Sequence, residues 1–185
     1  MKRNNTLVVS FFGGPGCSKS TFATGLFSEL KWKGVNTELS MEYIKGKIYD
    51  EHKYMFSQQI YVFAKQHYSI NKLLGKVDVV VTDSPYLLQC AYDKTDNKEL
   101  QQLIVSEYKK LNTYNVFLCR DSSTYNPIGR NETLNEAKKV DLKIRNLLFD
   151  NNIPHIYVDS RKENINMILN EVLKKIDYKE QTCYT

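Results

Sequence analysis

One nine-residue stretch constrains this chain more than any other: Gly13-Gly14-Pro15-Gly16-Cys17-Ser18-Lys19-Ser20-Thr21. The apolar run Leu7-Val8-Val9-Ser10-Phe11-Phe12 precedes it, and Phe22, Ala23, Leu26, Phe27 and Leu30 follow at helical spacing. Strand, glycine-rich loop, Lys-Ser and helix form the context of a phosphate-binding loop. Glycines let the backbone curl until successive N–H groups face one concavity, a nest for oxyanions. The N-terminus of the following helix adds its unsatisfied N–H groups and its dipole. In that geometry Lys19 reaches the β- and γ-phosphates of a nucleotide, and Ser20 offers its hydroxyl to Mg²⁺. The loop pattern is G-x-x-x-x-G-K-[ST], and this chain has Ser18 where the second glycine belongs. Serine is small and keeps its backbone N–H. A glycine-rich turn with no ligand is the bland alternative, and the flanks, lysine, serine and threonine together argue against it.

Such a loop needs a sheet and a core around it, and the chain can supply both. Its 185 residues fit one domain, taken as 1–185, and 42% hydrophobic with 25% charged residues is the balance of a soluble globular protein. The net charge of +5 suits phosphorylated ligands and permits nucleic acid without demanding it. Lys109-Lys110, Lys138-Lys139 and Lys174-Lys175 are pairs that fit solvated helix faces, not a basic arm. Cys17, Cys90, Cys119 and Cys183 have no metal-site spacing and fit free thiols in a reducing compartment. No apolar run is long enough to span a membrane, and no signal-peptide core is seen, so a cytoplasmic location is expected.

Beyond the loop helix, Lys33-Gly34 supplies a C-cap glycine. Val35 to Met41 reads as a strand delivering Glu42 and Tyr43, and Ile44 to Asp50 as a short helix. Ser57 to Leu74 has the helical spacing of a long helix, stopped by Gly75. Val77 to Thr82 is a buried strand by its β-branched run, ending in Asp83-Ser84-Pro85. Asp96 and Glu99 suggest the cap of a helix from about Asn97 to Leu111. Asn115 to Cys119 is a fourth strand, ending at Arg120, and an irregular stretch follows to about 133. Thr133 and Glu136 open a helix through Phe149, and Ile153 to Val158 is a fifth strand. Ser160 with Glu163 caps a last helix, and Asp177 to Thr185 reads as a frayed tail. Alternating strands and helices with near-continuous apolar strands predict a doubly wound α/β fold.

Ligands in such folds bind beyond the carboxyl ends of the strands. Glu42, Asp83, Ser84 and Arg120 fall there with the loop. Asp83 is placed as the carboxylate that holds Mg²⁺ with Ser20, or else as a turn aspartate before Pro85. Glu42 is placed to take a proton from an acceptor hydroxyl, or else is an exposed glutamate at a helix start. Arg120 and Arg130 flank a segment, about 121–133, long enough to be a lid whose arginines neutralise a transferring phosphoryl group. The alternative for Arg120 is a structural ion pair near the strand end. Gln58, Gln59, Tyr61, Gln66 and Tyr68 crowd the long helix that would border an acceptor pocket, although tyrosines there also suit the core. His52, His67 and His155 form no constellation and are taken as structural.

Five segments then carry a resemblance: Gly13 to Thr21, Met41-Glu42-Tyr43-Ile44, Gln59 to Gln66, Val81-Thr82-Asp83-Ser84-Pro85 and Tyr125-Asn126-Pro127-Ile128-Gly129-Arg130. In order and spacing the chain resembles the small P-loop ATP-binding proteins of bacteriophages labelled AAA-type ATPases. Those resemble the ribosylnicotinamide-kinase domain of bacterial NAD-biosynthesis proteins and, more distantly, thymidylate and deoxynucleoside kinases. The resemblance spans about Thr6 to Ile176. It implies a three-layer P-loop kinase-like fold with a five-stranded parallel sheet, helices on both faces, and a central P-loop strand. It also implies ATP, Mg²⁺ and a lid bearing Arg130. A ring ATPase would need a second, small helical domain that this layout does not leave room for.

The function expected is transfer of the ATP γ-phosphoryl group to a hydroxyl of a nucleoside, a nucleotide or a modified base. Hydroxymethylated pyrimidine in DNA is among the acceptors the phage resemblance implies; a phage-encoded chain would work in the host cytoplasm. The reading permits a homodimer. The alternatives are an ATPase that couples hydrolysis to a partner, and a nucleotide-binding module without catalysis. A lid and a carboxylate facing the γ-phosphate favour transfer, because an open site loses ATP to water.

Overall fold

The computed structural model describes residues 5–41, 58–93, 95, 97–120 and 133–178. Five parallel strands form one sheet in the order β2-β3-β1-β4-β5. They are β1 (Leu7–Phe12), β2 (Thr37–Ser40), β3 (Val79–Thr82), β4 (Thr113–Cys119) and β5 (Ile156–Asp159). The described helices are α1 (Lys19–Trp32), α2 (Gln59–Asn71), α3 (Leu88–Tyr92), α4 (Lys98–Lys109), α5 (Leu134–Asp150) and α6 (Asn164–Lys175). The loop strand β1 is central, with β3 on one side and β4 on the other.

The pleat of β1 divides the core into two layers. Leu7, Val9 and Phe11 pack with α1 and α6 through Phe22, Leu26, Leu30, Ile168, Leu169 and Val172. Val8 and Phe12 face the other way, toward Phe63, Ile70, Tyr86, Ile104, Ile144 and Leu148 from the region of α2 to α5. All six residues of β1 are buried, which is why the strand reads as a continuous apolar run. One polar device crosses the second layer: the Tyr108 hydroxyl donates to Asn115 Oδ1 at 2.6 Å, and Asn115 Nδ2 donates to the Pro154 carbonyl at 2.8 Å.

Helix ends follow from the sequence with four differences. Gly34, at φ +75°, ends α1 in a Schellman motif: Gly34 N–H donates to the Lys31 carbonyl and Val35 N–H to the Leu30 carbonyl. Thr133 and Glu136 form the expected capping box. The cap of α4, however, is Asn97 in place of the expected Asp96; its side chain accepts from Leu100 N–H at 2.9 Å. Ser160 does not cap α6, because its hydroxyl donates to the Cys119 and Cys17 carbonyls at 2.9 and 3.3 Å. The short helix α3 was not foreseen; it lies directly after the Asp83-Ser84-Pro85 turn. Of the tail expected from Asp177, Tyr178 is tied down, its hydroxyl donating to the Lys33 carbonyl, and residues 179–185 lie outside the described residues. The helix expected over 44–50 and the lid segment lie outside the described residues, apart from Thr133 at the segment's end.

Candidate active site

The site is built where β1 runs out. Between Phe12 and Lys19 the chain reverses direction, with Gly13 at φ +138°, Gly16 at +87° and Ser18 at +59°. Two of these are glycines, which take such angles without a Cβ penalty. Ser18 is the N-cap of α1 in the left-handed region, and its side chain makes no capping hydrogen bond. The loop pattern's glycine therefore answers a backbone need that serine meets under strain. Gly14 is glycine for a different reason. A Cβ there would lie 2.7 Å from Asp141 Oδ1 and 2.9 Å from the Ala137 carbonyl of α5.

Lys19 and Ser20 occupy the first turn of α1. The Lys19 ammonium donates to the carbonyls of Gly13 and Gly14 at 2.7 and 2.9 Å, which holds it across the mouth of the loop. The Ser20 hydroxyl donates to Asp83 Oδ2 at 2.6 Å. Asp83 is 2% exposed and follows β3, whose Thr82 lies level with Ser10 of β1. The neighbouring turn is fixed by Ser84 N–H, which donates to Thr82 Oγ1 at 3.1 Å. The structure thus brings Lys19, Ser20 and Asp83 together at the ends of two adjacent strands. A hydroxyl and a carboxylate in contact are the hard oxygen donors that suit Mg²⁺, which takes few protein ligands and completes its shell with phosphates and water. Among the described residues no group of three or more His, Cys, Asp or Glu side chains is placed to hold a metal.

Arg120 falls beside the loop, in the ion pair that was its alternative reading. Its Nε donates to Asp141 Oδ2 at 2.9 Å and its Nη2 to Asp141 Oδ1 at 3.4 Å, with the guanidinium side chain only 5% exposed. Asp141 Oδ1 also accepts from Gly14 N–H at 2.6 Å and from the Cys17 thiol at 3.4 Å. Burial, reinforced by the Asp141 charge, pushes the Cys17 thiol up to about 11, so the loop cysteine is a neutral donor at ordinary pH. Asp141 is the residue that reading the sequence missed. The signal was present: Ala137, Asp141, Ile144 and Leu148 share the buried stripe of α5, and a carboxylate on such a stripe needs a partner.

Glu42 and Arg130 lie outside the described residues, although β2 ends at Ser40, level with Thr82. On α2, Gln66 is buried, Tyr61 is half-buried and Tyr68 is exposed. His67 is half-buried, its ring tilted against Phe63 and Tyr86 and its Nε2 3.6 Å from Glu107 Oε2, and His155 Nδ1 lies 2.9 Å from the Ile153 carbonyl.

A central parallel strand feeding a phosphate loop, with a carboxylate at the end of the adjacent strand, defines a P-loop protein of the kinase-like α/β class. The chain belongs to the AAA domain family, whose model matches residues 8–164. Comparison with curated proteins finds no match. Among solved structures, the chain is similar to deoxyadenosine kinase from M. mycoides, determined with the products dCMP and a flexible dCDP bound. That match has 15% identity and a TM-score of 0.61, and covers 90% of this chain and 99% of the other. At that identity the likeness establishes the fold. No described helix is long and apolar enough to cross a membrane.

Proposed function

We propose that the protein is a kinase that transfers the γ-phosphoryl group of ATP to a hydroxyl of a nucleoside, a nucleotide or a modified base, hydroxymethylated pyrimidine in DNA included. The observation that carries this reading is the Ser20–Asp83 contact beside the Lys19 ammonium at the mouth of the loop. The loop N–H groups and the α1 N-terminus would receive the phosphates, with Lys19 on the β- and γ-phosphates. Ser20 and Asp83 would hold Mg²⁺, which neutralises phosphate charge when bound. The acceptor oxygen attacks the γ-phosphorus, the bond to the β–γ bridging oxygen breaks, and ADP leaves. Glu42 takes the acceptor proton. Arg130 neutralises the transferring group from the segment about 121–133. Arg120, paired with Asp141 beside the loop, is assigned to holding the loop in this reading. The fold neighbour's work on deoxynucleosides supports a nucleoside or nucleotide acceptor, and the family match supports the nucleotide-binding loop.

The test is an acceptor screen with γ-labelled ATP over nucleosides, nucleoside monophosphates, nicotinamide riboside and hydroxymethylated DNA. Label is expected on one of these classes, and Lys19→Ala is expected to abolish transfer while leaving the circular dichroism spectrum unchanged. Release of inorganic phosphate with no labelled acceptor would replace this reading with that of a partner-coupled ATPase. Wild-type transfer by Lys19→Ala would remove the role given to the lysine.

A further inference from the structure

The peptide between Gly13 and Gly14 is gripped from both sides. Its N–H donates to Asp141 Oδ1 at 2.6 Å, and its carbonyl, that of Gly13, accepts from the Lys19 ammonium at 2.7 Å. The chain has no cis peptide bond among the described residues, so this N–H and C=O point in opposite directions. A carboxylate at the N–H edge and an ammonium at the opposite, carbonyl edge therefore polarise one peptide unit in the same sense. We propose that Asp141 is a positioning residue for Lys19. It holds the Gly13–Gly14 peptide so that the carbonyl stations the ammonium at the loop mouth.

Three further features build this arrangement. Asp141 is itself buried, 8% exposed, and its other oxygen is fixed by Arg120 Nε at 2.9 Å. Helix α5 backs directly onto the loop, since a Cβ on Gly14 would lie 2.9 Å from the Ala137 carbonyl. Gly13 and Gly14 flank this peptide without a Cβ, so the torsions on either side are little restricted and its orientation depends on what holds it at each end. Without the carboxylate the peptide can turn over. Its carbonyl then leaves Lys19, and its N–H enters the nest. Arg120 and Asp141 also join the end of β4 to α5, so the loop, the strand and the helix meet at one carboxylate.

The inference rests on the reading of Lys19 as the phosphate-binding lysine, and its test separates the two. In the ligand-free protein, ¹⁵N NMR reads the Gly14 amide and the Lys19 Nζ. Asp141→Asn keeps the shape and removes the charge. It is expected to move the Gly14 amide upfield and the Lys19 Nζ resonance with it. An unmoved Lys19 resonance in a folded Asp141→Asn protein overturns the proposal. Affinity for ATP and AMP is then measured by calorimetry for wild type, Asp141→Ala, Lys19→Ala and the double variant. Losing a bond to a charged group corresponds to roughly ten- to a hundredfold in affinity, expected for ATP and not for AMP. In the Lys19→Ala background the Asp141 substitution is expected to change nothing further. Additive losses, equal for ATP and AMP, would mark Asp141 as merely structural and overturn the positioning role. If the resonances couple but the wild-type protein binds no nucleotide, the positioning stands and the kinase reading fails.

Discussion

Replacing Ser18 by glycine should stabilise this protein, although it removes a side chain from a helix N-cap. Ser18 sits at φ 59°, ψ 22°, where a Cβ crowds the following carbonyl. That conformation costs an L-residue about 1–2 kcal/mol. Serine at an N-cap ordinarily repays such a cost by accepting from the helix, but the Ser18 side chain makes no capping bond, so none is lost. Against the relief stands the greater freedom of glycine in the unfolded chain, about 0.4–1 kcal/mol. The balance favours Ser18→Gly by about 0.5–1 kcal/mol, a rise in Tm of about 1–4 °C for a domain of this size. Urea unfolding without nucleotide is the assay, since bound ligand would add its own stabilisation. The midpoint should rise at constant m-value. Ser18→Ala is the control: it keeps the Cβ and should stay within about 0.5 kcal/mol of wild type. If Ser18→Gly is no more stable than Ser18→Ala, the left-handed strain assigned to Ser18 is absent.

Two other substitutions test the site. Asp83→Asn should weaken all Mg²⁺-dependent use of ATP, futile hydrolysis included. Glu42→Gln should bind ATP normally and lose transfer by roughly a hundredfold to ten-thousandfold. Near wild-type transfer by Glu42→Gln would move the proton-accepting role to Asp83. The Cys17 thiol predicts an alkaline weakness: its pKa rises from 9.0 in the unfolded chain to about 11 when folded, chiefly through burial. The folded state thus holds the proton more tightly. The associated stability is complete below pH 9 and is lost as pH rises to about 11, about 2–3 kcal/mol in all. Cys17→Ser should flatten the fall in urea midpoint over that range; identical slopes would mean the thiol ionises as easily in the folded protein.

What the sequence makes legible is whatever is written locally. The loop, its flanking strand and its helix are contiguous, so spacing alone identifies them. The apolar run Val79-Val80-Val81 announces a strand buried on both faces, and Asp83 is found by its place at that strand's end. Thr133 and Glu136 lie three residues apart and cap each other, so the capping box can be read from the sequence. Ser160 fits the same pattern with Glu163, yet its hydroxyl turns to carbonyls of Cys17 and Cys119 that only the fold brings near. Local pattern states what a side chain can do, and long-range packing decides which option it takes.

Asp141 and Arg120 show the same limit at the heart of the site. Arg120 at a strand end is compatible with a lid arginine and with an ion pair. The choice depends on a residue 21 positions later, on the far side of the segment between β4 and α5. An aspartate on a helix ordinarily reads as solvated, and only its fit to the stripe of Ala137, Ile144 and Leu148 marks it as buried. Gly14 completes the set. Read locally, it is one more glycine in a flexible loop. In the fold it is the point where α5 meets the loop backbone, with Asp141 Oδ1 2.7 Å from the position its Cβ would take. Adjacent glycines thus do different work, Gly13 and Gly16 by turning the chain and Gly14 by leaving space, and pattern alone cannot separate those roles. A Gly14→Ala change is therefore a packing change at α5, whereas Ser18→Gly is a backbone change confined to the loop.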